Sequence, residues 1–266
     1  MHKISVIIPT LRPGIYLEEC LNSLYLQSLS LEKFEVIIVL NGEKLPYEEN
    51  IKAFFCSRPR LDYNLIYYER PGVSVARNLG IEAALSDNLL FLDDDDFLSP
   101  TFLENLLIRS GYEVVVATRF LSFASSINES AEDYVGRVYR RCQEYPNFDI
   151  FRFRGLLSSA CGKLIPRDVI GNARFDPRFK RGEDSLFMFA ISKNIKQIVL
   201  ADPAAIYYRR ERSGSARNAK TPCHVLLAED VLRLVAYSKF YLSDLRRYNF
   251  RFFLSRIIAT GKKYFG

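Results

Sequence analysis

Apolar runs alternate with segments of helical spacing over the first 118 residues of the chain. The runs are rich in β-branched residues and almost wholly apolar, which is typical of strands that are buried on both faces. They are ISVIIP (4–9), FEVIIVL (34–40), NLIYYE (64–69), NLLFLD (88–93) and EVVVAT (113–118). This alternation of strands and helices predicts a mostly parallel α/β sheet in three layers.

Three helices are predicted among these strands. The first carries Leu17, Leu21 and Leu24 at helical spacing, and the second covers 73–85. The third covers TFLENLLIRS (101–110), with Ser99 as its N-cap and Pro100 at its first position.

The pattern is weaker after residue 118. Residues 119–160 are polar and aromatic and indicate a helix with loops, and a further helix is predicted from about Glu183. QIVLA (197–201) and AAIYYRR (204–210) predict two short strands, and two helices are predicted from residue 222 onward. We therefore expect one large domain over 1–220 and a helical segment over 221–266.

Basic charge is concentrated in that last segment. The chain carries a net +6, whereas residues 233–266 hold eight Lys or Arg and one acid, Asp244, so the rest is close to neutral. Apolar residues recur there at helical spacing, with Arg256 and Lys263 on the opposite face. The helix either packs on the domain or attaches the protein to an anionic membrane surface, since interfacial helices combine aromatic residues with Lys and Arg.

Composition narrows the class of protein. With 266 residues and 48% hydrophobic side chains, the chain can bury a sizeable core. Its five cysteines are scattered without CxxC spacing, and the N-terminal apolar run is too short for a signal peptide, so we expect a cytoplasmic location. No stretch reaches 18 apolar residues, so no transmembrane helix is expected.

Four consecutive aspartates follow the fourth apolar run, in LLFLDDDDFLSP (89–100). Two carboxylates about 4 Å apart repel by roughly 4 kcal/mol at an effective dielectric near 20, so such a run lies in solvent or faces a cation. The carboxyl ends of strands are where open α/β sheets bind ligands. Alternation along the strand would place Asp93 and Asp95 on one side, where they could bind Mg²⁺ or Mn²⁺ together with a polyphosphate.

Several motifs in order resemble family 2 glycosyltransferases with the GT-A fold, namely SVIIPT, ARNLGIEAA, FLDDDDFL and GEDSLF. ACGKLIPRDVI and FDPRFKRGEDSLF are similar to the acceptor-side segment of bacterial members. The resemblance covers about 3–215. It implies a Rossmann-like, mostly parallel central sheet flanked by helices, with a nucleotide-binding half to about 118, an acceptor-side half over about 119–220 and a C-terminal helical appendage.

The resemblance also implies roles on the donor side. Pro9 and Thr10 match the segment that lines the nucleotide base. Arg77 and Asn78 match an element near the base and phosphates. Asp93 matches the acid that lies against the ribose and metal, and Asp95 matches the direct ligand of a divalent cation, Mn²⁺ or Mg²⁺.

On the acceptor side, Asp184 matches the catalytic base, because an acceptor hydroxyl must lose its proton as it attacks the sugar. Glu183 lies beside it and could orient it or bind acceptor. Arg209 and Ser213 resemble, more weakly, the segment that closes over the diphosphate.

Two departures from the family pattern concern the nucleotide base. The family usually has Asp-Asp-Gly after the second strand, where this chain has Leu40-Asn41-Gly42; Asn41 could still accept from the base N3–H through its carbonyl oxygen. Leu11 and Arg12 replace a Tyr-Asn pair after the first strand, which places Arg12 at the base.

The function implied is metal-assisted, inverting transfer of a sugar from a nucleoside diphosphate, expected to be UDP, to a hydroxyl of a saccharide or lipid-linked saccharide. A nucleotidyltransferase should have a Gly-rich basic loop after its first strand, but PTLRPG has one glycine. An oxidoreductase should have G-x-G-x-x-G there. A basic module that binds nucleic acid through the tail remains as a non-enzyme alternative, although the chain has no recognisable nucleic-acid fold, so no nucleic-acid partner is expected.

Overall fold

The computed structural model describes residues 3–58, 60–145, 147–212 and 223–261. The strands of these residues are β1 (Ile4–Thr10), β2 (Phe34–Asn41), β3 (Tyr63–Tyr68), β4 (Asn88–Phe91), β5 (Phe97–Leu98), β6 (Val114–Ala117), β7 (Arg119–Phe123), β8 (Ala131–Glu132), β9 (Lys163–Pro166), β10 (Gln197–Leu200) and β11 (Ile206–Arg210). The helices are α1 (Ile15–Tyr25), α2 (Tyr47–Cys56), α3 (Val73–Ala83), α4 (Phe102–Ile108), α5 (Tyr134–Cys142), α6 (Arg167–Ile170), α7 (Glu183–Ile191), α8 (Cys223–Ser243) and α9 (Phe250–Gly261).

A seven-stranded sheet forms the centre of the molecule, with strand order β10-β6-β9-β4-β1-β2-β3. β1 is buried along its whole length and pairs in parallel with β2 and β4, so that Ile7 lies opposite Ile37 and Phe91. Among the described strands of this sheet, β9 alone runs antiparallel to its neighbours. The prediction of a mostly parallel sheet flanked by helices is confirmed. The sheet also takes β9 and β10 from beyond residue 118, and the division into two halves stays a prediction.

Helix α3 packs unusually close to β1, because a Cβ added at Gly80 would lie 2.3 Å from Ile7 Cγ2. Only glycine fits at that distance. Arg77 lies three residues earlier on α3 and therefore near the same helix face. The close contact holds this arginine against the sheet beside the carboxyl end of β4.

A second, four-stranded sheet was not predicted, and its order is β5-β11-β7-β8. β5 and β8 have two residues each, too few for a sequence pattern. β11 pairs with both β5 and β7 and thereby places residues 206–210 beside the aspartate run.

The predicted start of the helix after the aspartates is wrong. α4 begins at Phe102, and Thr101 is its N-cap. The Ser99 hydroxyl instead donates to Ala204 O (2.8 Å) and accepts from Ile206 N (2.9 Å). The side chain expected to cap the helix thus ties β5 to β11.

The two predicted C-terminal helices are present as α8 and α9, and they pack on each other and on α7. Arg256 was predicted on an exposed polar face, but its guanidinium points inward and donates to Arg154 O and Leu157 O, at 2.8 and 3.0 Å. Lys263 lies outside the described residues. In the described part of the chain, no helix combines the length and hydropathy needed to cross a bilayer.

Candidate active site

A buried arginine joins acidic groups from two distant parts of the sequence. The Arg77 guanidinium, on α3, contacts Asp93 Oδ1 at 2.9 Å and Asp184 Oδ1 at 2.6 Å. Glu183 Oε1 lies 3.4 Å away. The structure thus brings together three of the residues predicted for the site, Asp93, Glu183 and Asp184, around a fourth.

Charge compensation explains why this cluster is tolerated inside the protein. Arg77 is 3% exposed, and although burial acts to lower its pKa, Asp184 and Asp93 raise the pKa well above its usual range. Burial acts to raise the pKa of Asp93, but the Arg77 guanidinium holds it below its ordinary value. Burial and the neighbouring Asp184 raise the pKa of Glu183 to about 7. The cluster therefore combines a permanent cation with a carboxylate that titrates near neutrality.

Asp184 is held by three hydrogen bonds in the first turn of α7. One carboxylate oxygen accepts from Arg77, and the other accepts from Ser159 Oγ (3.2 Å) and Ala160 N (3.1 Å). Gly182 is the N-cap and has φ of 71°, a left-handed conformation that favours glycine and turns the chain into α7. The side chain is 17% exposed, so a fixed carboxylate remains within reach of a ligand.

The four aspartates form a tight turn, and the prediction that they alternate along a strand is wrong. β4 ends at Phe91, and Asp96 N donates to Asp93 O at 3.1 Å. The four carboxylates therefore diverge: Asp93 contacts Arg77, Asp94 Oδ2 accepts from Thr10 Oγ1 (2.5 Å), Asp95 pairs with Arg212, and Asp96 Oδ1 accepts from Arg210 N (2.8 Å). Repulsion within the run is relieved because each carboxylate has its own partner.

Two of these aspartates have a strongly raised pKa. Burial raises the pKa of Asp94 to about 7, against the opposing effect of its hydrogen bond from Thr10. Burial also raises the pKa of Asp96 well above its usual range, with a further contribution from Asp93. Sequence reasoning left Asp94 out of the site. The hydrogen bond between Asp94 and Thr10, at the end of β1, depends on the turn, which the sequence did not predict.

The fit of a divalent cation can be judged from the donor set. In the described part of the chain, no three His, Cys, Asp or Glu side chains come together as a metal cage. Asp95 pairs with Arg212, and Asp93 keeps a side chain that is 39% exposed. Mg²⁺ and Mn²⁺ sites of nucleotide enzymes typically use one or two carboxylates and complete the shell with phosphate oxygens and water. Because Asp93 and Asp95 diverge and each is paired with an arginine, a cation here would use one or two carboxylates and would need diphosphate oxygens and water to complete its shell.

A shallow pocket of about 400 Å³ lies at the carboxyl ends of β1 and β2. Its lining residues are Leu11, Arg12, Gly42, Glu43, Glu69 and Pro71. Arg12, predicted at the nucleotide base, lines it and forms an exposed ion pair with Glu43 at 2.8 Å. Pro9 and Thr10 end the buried strand β1 directly before Leu11, so the predicted base-binding segment adjoins the pocket lining in sequence.

Two amides predicted to contact the donor are engaged within the protein. Asn41 is 2% exposed; its Nδ2 donates to Thr10 O (2.7 Å), and its Oδ1 accepts from Gly72 N (2.8 Å). Asn78 exchanges two hydrogen bonds of 2.8 Å with the backbone of Phe175. Both side chains hold backbone segments in place around the site, and direct contact of either with a nucleotide stays a prediction.

The segment predicted to close over the diphosphate is described as far as residue 212. Arg209, on β11, pairs with Asp133 and lies 4.5 Å above the Phe120 ring, which fixes it against α5. Ser213 lies outside the described residues. Arg212, which was not predicted, contacts Asp95 instead.

Sequence reasoning also missed a buried lysine near the cluster around Arg77. Lys163 opens β9, is 1% exposed and donates from Nζ to Cys161 O at 3.0 Å. Within the described residues it forms no ion pair, and burial lowers its pKa to about 8. In KLIP the lysine is the usual charged residue at the edge of an apolar run, so the sequence carried no signal that it is buried.

The fold and the candidate site define an α/β protein with a carboxylate cluster at the carboxyl ends of its parallel strands. The family model for glycosyl transferase family 2 matches residues 5–159, more than half of the chain. The chain therefore belongs to glycosyl transferase family 2. This assignment favours glycosyl transfer over the nucleotidyltransferase and binding-module alternatives.

Several relatives show similarity over most of the chain. The minor teichoic acid biosynthesis protein GgaB of Bacillus subtilis is 26% identical over 80% of this chain and 23% of its own length. Glycosyltransferase GlyA of Streptococcus pneumoniae is 25% identical over 81% of this chain and 32% of its own length. The chain thus spans about a quarter to a third of these curated relatives.

The fold also matches solved structures. S. aureus TarS 1–349, in complex with UDP-GlcNAc, superposes with a TM-score of 0.74 at 18% identity, over 98% of this chain and 73% of that chain. At this identity the likeness shows the fold alone. The expected GT-A architecture with C-terminal helices is confirmed.

Proposed function

We propose that this protein transfers a sugar from a nucleoside diphosphate sugar to a hydroxyl of a cell-surface polysaccharide or glycolipid precursor, with inversion at the anomeric carbon. The single observation that carries the proposal is the fixed carboxylate of Asp184, which shares the Arg77 guanidinium with Asp93 of the aspartate turn. The proposed base and a carboxylate of the aspartate turn are thereby held by the two terminal nitrogens of one guanidinium.

Asp184 acts as the base that takes the proton from the acceptor hydroxyl. Its three hydrogen bonds fix the orientation of the carboxylate, and fixed geometry is the first requirement for general base catalysis. Direct attack by the hydroxyl on the anomeric carbon displaces the diphosphate in one step, which inverts the configuration. Glu183, whose pKa is about 7, lies beside the base and can donate a hydrogen bond to an acceptor when it is protonated.

Asp95 and Asp93 are the residues that would hold a divalent cation, Mn²⁺ or Mg²⁺. When bound, the cation supplies positive charge that stabilises the leaving diphosphate. Arg212 already contacts Asp95 and can donate to phosphate oxygens, since guanidinium groups suit phosphate geometry.

UDP is the proposed donor nucleotide. TarS, whose fold this chain shares, has been solved with UDP and with UDP-GlcNAc, which supports a uridine donor here. The pocket at the ends of β1 and β2 is proposed to receive the base, with Arg12 and Glu43 at its rim. The Asn41 side-chain oxygen already accepts a hydrogen bond from Gly72 N. It can therefore accept one from the nucleotide base only if it binds both donors or releases Gly72 N.

The names of the relatives support the proposed acceptor class. GgaB is a minor teichoic acid biosynthesis protein, and another relative is a poly(ribitol-phosphate) β-N-acetylglucosaminyltransferase. We infer an acceptor that belongs to a surface polymer or its lipid-linked precursor, used at the cytoplasmic face of the membrane.

Calorimetric titration with UDP, in Mn²⁺ and in EDTA, tests the donor site. Wild type should bind UDP more tightly with Mn²⁺. Asp95→Asn should lose that difference, while Asp87→Asn, at an exposed aspartate just before β4, should keep it. The proposal is wrong if UDP fails to bind under either condition, or if Asp95→Asn keeps the full response to Mn²⁺. A screen of UDP-sugars by thermal shift would then identify the donor, and the anomeric proton coupling of the product would report inversion.

A further inference from the structure

The outward sides of the two C-terminal helices form an apolar surface that nothing in the described chain covers. We call it the outer face; its members are Leu227, Val231, Val235 and Leu242 of α8, Leu245 of the connection, and Phe250, Leu254 and Ile258 of α9. Each of these side chains is between 43% and 68% exposed. Scattered exposed apolar residues are ordinary, but a contiguous set marks an interaction site.

Within each helix these residues lie on the side away from α7, because the opposite sides of both helices pack on Phe189 of α7. In α8 the outer residues recur at 227, 231, 235 and 242, whereas Ala236 and Tyr237 point to the opposite side and are buried. At 100° per residue, the two groups lie about half a turn apart. In α9 Phe250, Leu254 and Ile258 follow one another at intervals of four, opposite the buried Phe252. The outer face of α8 alone spans about 22 Å.

The charges on this surface have one sign. Within residues 225–261, the exposed charged side chains are Lys239, Arg246, Arg247 and Arg251. The acids of the same segment are not exposed: Asp230 is buried and pairs with Arg233, Asp244 lies between Lys193 and Arg247, and Glu229 is half-buried. The exposed surface of these helices is therefore apolar and cationic, without an exposed carboxylate in that range.

We propose that the outer face binds the surface of an anionic phospholipid bilayer. An interfacial helix inserts apolar side chains among the acyl chains and headgroups while its Lys and Arg remain near the lipid phosphates. If a second protein copy bound through the same surface, the cations of the two copies would face and repel each other. Anionic lipid is instead attracted by these cations. The inference concerns where the enzyme works, and it does not rest on the proposed donor or metal.

The inner sides of the same helices support the catalytic base. Arg233 Nη2 donates to Arg181 O at 2.7 Å, next to the Gly182 turn that begins α7. Arg256 Nη2 donates to Leu157 O at 3.0 Å, two residues before the serine that binds Asp184. A membrane contact on the outer face would therefore lie one helix layer away from the acceptor side. This arrangement suits an acceptor saccharide that is attached to a lipid.

Vesicle co-sedimentation of the full chain tests the proposal. Phosphatidylcholine vesicles are compared with vesicles that also contain phosphatidylglycerol, at low and high salt. Wild type should pellet with the anionic vesicles at low salt and be released at high salt, because exposed charges are screened. Phe250→Ser/Leu254→Ser/Ile258→Ser and Arg246→Gln/Arg247→Gln/Arg251→Gln should both lose binding, the second by about a hundredfold at roughly fivefold per cation.

The matched control is Leu26→Ser/Leu85→Ser/Ile108→Ser, which removes three apolar side chains that are 70–74% exposed on other elements. This control should pellet like wild type. All variants should keep the circular dichroism spectrum and the UDP affinity of wild type. Because UDP binding and vesicle binding are measured separately, a failure of the donor proposal can be told apart from a failure of the membrane proposal. The inference is overturned if wild type stays in the supernatant, if the control loses binding equally, or if light scattering shows a dimer that the outer-face variant dissociates.

Discussion

Lys163 offers a sharp test of the structure, because burial of an unpaired cation makes stability depend on pH in a known direction. Its pKa falls from the ordinary 10.5 to about 8 on burial in the folded protein. Between these two values the unfolded chain binds a proton that the folded protein does not. The free energy of unfolding therefore rises with pH in this window, and Lys163→Met should remove that rise.

The magnitude follows from the two pKa values. Below about pH 8 both states are protonated, and charging the buried lysine costs the wild type about 3 kcal/mol relative to the neutral form. Near pH 9.5 the folded lysine is neutral while the unfolded one is largely charged, so about 1.5 kcal/mol of that penalty remains. Between about pH 7 and 9.5, the free energy of unfolding of wild type should thus rise by roughly 2 kcal/mol more than that of Lys163→Met. This corresponds to about 4–8 °C in Tm for a chain of this size.

Thermal unfolding followed by circular dichroism at both pH values measures how much the stability difference between wild type and Lys163→Met changes with pH. The lost hydrogen bond to Cys161 O and the general effect of pH on stability cancel in it, because they enter both terms. Lys33→Met, at an exposed lysine, is the matched control and should follow wild type at both pH values. Parallel Tm changes in wild type and Lys163→Met would refute the idea that a buried, weakly basic lysine is present.

Two further predictions concern the reaction. Asp184→Asn should lower sugar transfer by about 10²- to 10⁴-fold and leave the UDP dissociation constant nearly unchanged, because the base acts on the acceptor; loss of UDP affinity with kcat retained would assign the role elsewhere. Arg212→Ala should let Mn²⁺ alone bind more tightly, since the Arg212 guanidinium competes with the cation for Asp95. Paramagnetic resonance of free Mn²⁺ measures this affinity. An unchanged or weaker affinity would show that the ion pair does not compete.

The central sheet could be predicted from the sequence because it depends on long apolar strands, whereas the candidate site at the ends of these strands stays a prediction. β1 and β2 are seven and eight residues long and wholly buried, so their patterns could not be confused with exposed strands. Asp184 and Asp93 were placed in one site by family resemblance, and their common contact with Arg77 agrees with this placement.

What could not be predicted depends on long-range contacts. β9 lies between β4 and β6 although it follows them by many residues, and it reverses the strand direction there. Strands of two residues, such as β5 and β8, carry no periodicity at all. Arg77 matches a motif near the phosphates, and only the fold shows that its guanidinium points between two acids.

The net charge of the cluster around Arg77 suits the proposed transfer reaction, in which one site serves both the donor and the acceptor. One guanidinium faces Asp93, Asp184 and Glu183, so the group carries −1 with Glu183 protonated and −2 with it ionised. A fully compensated cluster would attract neither a proton nor a cation, and an uncompensated one would cost several kcal/mol per buried charge. A pKa of about 7 for Glu183 lets the cluster move between these two charge states near neutrality. A proton from the acceptor, taken up by Asp184, would neutralise part of the residual negative charge of the cluster. A cation at the aspartate turn would neutralise another part.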